Sequence, residues 1–163
     1  VGPCGDVVEF GCGYGTFTLP AAGLADGRVI ALDIEPELVE QLSLRARESG
    51  RTNVTAVVRD FVAEGCGLSD GTAGYVMLFN ILHLEDPVGL LREACRVLSP
   101  GGLVGIIHWR TDVPTPRGPS MPIRPTLAQC RAWAELAGLV FAREESLCCC
   151  SWHWGLVMQK PPA

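Results

Sequence analysis

Runs of basic residues are missing from this chain. Its 13 lysines and arginines are scattered and its formal net charge is −5, which argues against a track for a nucleic-acid backbone. Long apolar runs are missing too: residues 101–109 are apolar, but too few to cross a bilayer. No secretory leader is visible and no segment repeats. The eight cysteines are not spaced like the disulfide framework of a small secreted domain. Cys12 lies inside a glycine-rich turn, Cys95 falls on the apolar face of a helix, and Cys148, Cys149 and Cys150 are adjacent. A reducing, cytoplasmic compartment is expected. What remains is ordinary for an enzyme: 163 residues, 48% apolar and 19% charged, enough for one domain around one core. The sequence opens at Val1, not Met, with its first strand near Asp6, so further chain upstream is expected.

Strand and helix patterns alternate. Strands are expected over Asp6 to Phe10, Arg28 to Asp33, Val54 to Arg59, Gly74 to Phe79 and Leu103 to Trp109. Helices are expected over Tyr14 to Leu24, from Pro36 to a stop at Gly50, and after Asp86-Pro87 with an inward face of Leu90, Leu91, Ala94, Cys95 and Leu98. Ser99 to Gly102 reads as a turn, and 111–125, with five prolines, as an ordered surface loop. Thr126 and Gln129 form a capping box for a last helix ending at Gly138. Leu139 to Leu147 and Trp152 to Gln159 close the chain as a hairpin. The expectation is an α/β, Rossmann-like doubly wound sheet of seven strands, mostly parallel with an antiparallel last strand. Ligands of such sheets bind at the carboxyl ends of the strands, where strand order reverses.

Those strand ends carry the chemistry. After Val7-Val8 come Glu9-Phe-Gly-Cys-Gly-Tyr-Gly15, and the second strand ends in Asp33. Glycines let a backbone approach a ligand where a Cβ would clash, and a carboxylate at the next strand end suits a ribose diol. A dinucleotide-type turn wants a third glycine at position 16, which here is Thr16. Further along stand Arg59-Asp60-Phe61, Asn80-Ile81-Leu82-His83, and Arg96 to Gly102 ahead of the fifth strand.

Taken in order, these five motifs resemble class I S-adenosylmethionine-dependent methyltransferases, most closely the small-molecule branch that includes ubiquinone and menaquinone biosynthesis methyltransferases. The resemblance runs from about Asp6 to Lys160. It implies that Gly11, Cys12 and Gly13 pass under the methionine part of S-adenosylmethionine. Glu9 would organise the turn, Gly15 would relax it, and Tyr14 would open the helix near the carboxylate tail. Asp33 would take both ribose hydroxyls, Ile34 would pack on the adenine, and Asp60 with the Phe61 amide would meet its edge. Asn80 would offer its backbone near the methionine amine. Apart from the family motifs, His83 and His108 fall just past strand ends, where either could serve as a base; His83 is the candidate catalytic residue, and His108 and Trp109 are candidate substrate contacts. On this resemblance, residues 1–163 are a single methyltransferase domain acting on a small-molecule acceptor, without a nucleic-acid or membrane partner and with no metal. Family members usually carry helices ahead of the first strand that cover the cofactor; this sequence lacks them. The Pro-Pro-aromatic motif of DNA amino-methyltransferases is absent after Asn80.

Alternatives stay open. An NAD(P)-dependent oxidoreductase shares the sheet, and a non-catalytic S-adenosylmethionine-binding module shares the turn. Asp60 also reads as a strand-end cap, His83 as a packed loop residue, and His108 as a residue that satisfies a carbonyl. Trp109, Trp152 and Trp154 read as packing or as pocket walls. Arg110, Arg117 and Arg124 read as solvated charge, or as contacts to an anionic substrate. Three adjacent cysteines on extended chain point to alternate faces, which disfavours one shared ion.

Overall fold

A computed structural model describes residues 5–148 and 150–163. Strands β1 (Asp6–Phe10), β2 (Val29–Asp33), β3 (Val54–Val58), β4 (Ala73–Phe79), β5 (Leu98–Trp109), β6 (Val140–Glu145) and β7 (His153–Gln159) form one sheet in the order β3-β2-β1-β4-β5-β7-β6. The first five pair in parallel, and β7 runs antiparallel to both β5 and β6. This is the expected α/β Rossmann-like architecture. Strand order reverses between β1 and β4, so the ligand crevice is expected above their carboxyl ends.

β1 and β2 are buried on both faces, whereas the edge strand β6 is exposed throughout, and alternate residues of the buried strands serve different helices. Val8, Phe10, Ile30 and Leu32 point to the larger core, built with α3 (Phe61–Glu64), α4 (Pro87–Val97) and α5 (Leu127–Leu136). Val7, Val29 and Ala31 point the other way, toward α1 (Thr18–Ala22) and α2 (Pro36–Glu48). In α4, Val97 takes the fully buried position, while Cys95 is only half-buried.

Two local expectations are corrected. Tyr14 does not open α1. Gly15, at φ +76°, cannot join a right-handed helix, and its N–H closes a turn on the Cys12 carbonyl at 2.9 Å. The helix therefore starts at Thr18, which leaves Pro20 in a first turn that tolerates it. Ser99 to Gly102 is not a turn outside the sheet but a bulge within β5. The register skips from Leu98 opposite Ala73 to Leu103 opposite Tyr75, and Gly101 (φ +79°) supplies the left-handed step.

Candidate functional site

The glycine turn is tied to β2. Gly11 and Cys12 both donate to the Leu32 carbonyl, at 2.8 and 3.0 Å. One Asp33 oxygen accepts from the Gly13 N–H at 2.8 Å and the other from the Glu35 N–H at 3.1 Å. Gly11, Gly13 and Gly15 all have positive φ, which favours residues without a Cβ. Their surroundings differ. A Cβ on Gly11 would lie 2.6 Å from Ile81 Cδ1, and one on Gly15 would collide with Leu42, whereas Gly13 faces open space. Gly11 and Ile81 thus let the loops after β1 and β4 meet at the strand-order reversal.

Beneath the turn, Glu9 is buried and accepts a hydrogen bond from the Thr18 hydroxyl. Burial pushes its carboxyl up to about 7, against the Thr18 bond, with the nearby Asp33 charge adding to the rise. Burial likewise pushes the Cys12 thiol up to about 12, with Glu9 and Asp33 contributing, so it is an inert packing thiol. Tyr14 within the turn, Ile34 after β2 and Val62 on α3 are all exposed. Asp60 caps α3, accepting from the Ala63 N–H at 3.0 Å. The Phe61 ring is core, edge-on to Phe10 with centroids 5.3 Å apart.

On the other side of the reversal, Asn80 takes φ +59° and its N–H donates to the Ile107 carbonyl at 2.7 Å. Its Oδ1 is buried with no hydrogen-bond partner among the described residues. His83 is exposed, and its Nδ1 lies 3.4 Å from His108 Nε2. The sequence-based expectation for His108 is corrected: it is 0% exposed and stands behind His83, not against solvent. It continues the inward row of Val104 and Ile106, its ring stacks on Trp154 at 6.1 Å, and its Nδ1 lies 3.5 Å from the Trp109 carbonyl. Burial lowers its pKa to about 4, opposed by the Trp109 contact and helped by His83, His153 and Arg124. Burial lowers that of His83 as well.

Trp109 is half-buried. Its ring sits 4.0 Å from that of His153 and 5.7 Å from the Arg124 guanidinium. Arg124 is not solvated charge. It is buried and donates to the carbonyls of Pro119, Arg110 and Arg117 and to the Thr115 hydroxyl, which knits the proline-rich loop to the end of β5. Arg110 remains at the surface, paired with Asp112. Cys150 Sγ lies 2.9 Å from His153 Nδ1. A cleft of about 470 Å³ opens here, lined by Leu127, Leu147, Cys150, His153 and Trp154 among others. Cys149 lies outside the described residues. Among the described residues no three His, Cys, Asp or Glu side chains are grouped to hold a metal ion.

The structure therefore gathers Glu9, Gly11, Cys12, Gly13, Gly15 and Asp33 on one side of the reversal, and His83, His108 and Trp109 on the other. Asp60 and Phe61 are engaged as a cap and as core. Sequence reasoning missed His153 and the burial of Arg124. The pairing of β5 with β7 sets Trp109 opposite His153, a register that only the folded sheet reveals.

A family model described as "Methyltransferase domain" matches residues 7–102. A ribosomal protein L11 methyltransferase from Dechloromonas aromatica is 34% identical over 110 residues, 65% of this chain and 34% of that protein. A ubiquinone biosynthesis O-methyltransferase from Xanthomonas axonopodis is 36% identical over 98 residues, 59% of this chain and 39% of that protein. The chain thus spans less than half the length of these relatives. The crystal structure of a SAM-dependent methyltransferase from Aquifex aeolicus superposes with a TM-score of 0.84 at 22% identity, over 94% of this chain and 81% of that one. At that identity the likeness speaks for the fold.

Proposed function

The chain belongs to the methyltransferase domain family, and from that premise we propose that it moves a methyl group from S-adenosylmethionine to a small-molecule acceptor. The observation that carries the reading is the turn after β1, pinned to the Asp33 carboxylate beside the reversal of strand order.

The residues fit that cofactor. Gly13 faces open space that a side chain would fill. Each Asp33 oxygen spends one lone pair on an amide, leaving acceptor capacity for a ribose diol. The exposed Tyr14, Ile34 and Val62 are apolar surface for an adenine to cover. Asp60 and the Phe61 amide lie at the start of α3, within the same rim. When bound, the cofactor supplies a methyl group on a sulfonium, already activated for transfer. The protein's part is to align the acceptor, exclude water and remove a proton. Alignment alone is worth roughly 7–11 kcal/mol. His83, exposed beside the reversal and with its pKa lowered by the partial desolvation of its ring, is the base in this reading. The cleft of about 470 Å³ suits a small ligand, as does the name of the ubiquinone relative. Residues 1–163 form one methyltransferase domain in this proposal.

A cytoplasmic setting belongs to the proposal as well. It is supported by six free cysteines among the described residues. No helix among them is long and apolar enough to cross a membrane.

Calorimetry with S-adenosylhomocysteine tests the cofactor assignment. Asp33→Ala should weaken binding by about 1–3 kcal/mol, the cost of leaving buried donors unpaired. Equal affinity in the variant would remove Asp33 from the site.

A further inference from the structure

The buried His108 has few polar neighbours, and their identity dictates where its proton sits. Nδ1 lies 3.5 Å from the Trp109 carbonyl oxygen, which only accepts. A lone pair on Nδ1 would face another lone pair, so Nδ1 carries the hydrogen. His108 is neutral, because its burial and the positive charge of Arg124 both penalise an imidazolium. Its Nε2 is then a bare acceptor, 3.4 Å from His83 Nδ1. Two opposed lone pairs at that distance repel, so His83 Nδ1 must donate. In a neutral ring that leaves the other nitrogen, Nε2, without a proton.

We propose that His108 is a positioning residue that fixes the tautomer of His83, so that His83 presents a bare Nε2 to the methyl acceptor. The relay runs from the Trp109 carbonyl through His108 to His83, with the Trp154 ring stacked against the middle member. Such an arrangement matters because neutral imidazole in water prefers its hydrogen on Nε2, the form with no lone pair where this one is needed. The balance is simple: as the acceptor atom bonds to the methyl carbon, the methyl–sulfur bond breaks, its electron pair stays on sulfur and S-adenosylhomocysteine leaves neutral; the acceptor's hydroxyl or amine hydrogen passes to His83 Nε2, and the resulting imidazolium releases that proton to water. The use of that lone pair rests on the methyl-transfer reading above; the tautomer itself does not.

The chain has three histidines, so two-bond ¹H–¹⁵N correlation of the labelled protein, at mildly alkaline pH, resolves every ring. In the wild type, His83 and His108 should both show the Nδ1–H pattern. In His108→Phe, His83 should revert to Nε2–H, and methyl transfer should fall roughly a hundredfold with S-adenosylhomocysteine binding unchanged. His108→Gln, whose side-chain oxygen can accept from His83, should restore the Nδ1–H form. An Nε2–H pattern for His83 in the wild type overturns the proposal, even if the Phe variant does not fold. So does an Nδ1–H pattern that survives in His108→Phe. If the wild type binds no S-adenosylhomocysteine, the methyl-transfer reading falls while the spectrum still decides the tautomer.

Discussion

Around the ends of β1 and β2 the site is main chain held by the Asp33 carboxylate; around the end of β5 and the start of β7 it is made of packed rings. On the first side, amides of Gly11, Cys12 and Gly13 bond to the end of β2, and three positive φ angles set the shape. On the second, rings and a guanidinium interlock: His83 on His108, His108 on Trp154, Trp109 on His153, and Arg124 over Trp109. Both sides bury titratable groups in neutral form, by opposite routes. Glu9 keeps a proton until about pH 7, and His108 lacks one above about pH 4. The lesson is that the first side should fail when atoms are added, and the second when they are removed.

The largest effect should come from adding one carbon. Gly15→Ala places a Cβ against Leu42 at φ +76°. It should cost about 4 kcal/mol, from a left-handed backbone plus a crowded core. Gly13→Ala, with open space around it, should cost only about 1 kcal/mol of stability while still impairing cofactor binding. Urea unfolding of both variants checks the difference, and equal losses would break the contrast.

Next is pH. The unfolded chain releases the Glu9 proton near 4.5, and the folded chain holds it to about 7. The stability that this provides is complete below pH 4.5 and disappears as pH rises through 7. Glu9→Gln should remove that decline, worth about 3 kcal/mol. Denaturation curves across this range should be flatter for the variant, and parallel slopes would count against a protonated Glu9.

Smaller still, Arg124→Met should cost about 2 kcal/mol, because several acceptors lose a buried donor. The expected signature is faster proteolysis within 111–125. An unaltered cleavage rate would mean that the loop is held without its arginine.

The same contrast explains what could be read from the sequence. Gly11, Gly13 and Gly15 act through their own main chain and Asp33 through a carboxylate at a strand end, so residue type and spacing announce them. The alternation of strands and helices carries the sheet in the same way. The start of α1 differs from the sequence pattern because a positive φ at Gly15 is a property of the folded turn and not of residue type. Arg124 and His153 gain their partners from a loop folding back and from the register of β5 on β7, which no short window of sequence contains. His108 shares its parity with Val104 and Ile106, which points inward, but at a strand end parity alone does not separate inside from edge.

The reversed direction of β7 has an evolutionary side. Parallel neighbours are joined by crossovers that carry a helix across the sheet, so lengthening one disturbs packing at both ends. The β6–β7 connection is a hairpin link that leaves and returns at the carboxyl edge, beside the cleft. Residues can be gained or lost there without shifting any parallel register. Under the proposed methyl transfer, acceptor preference would change through that link while the glycine turn after β1 keeps its geometry.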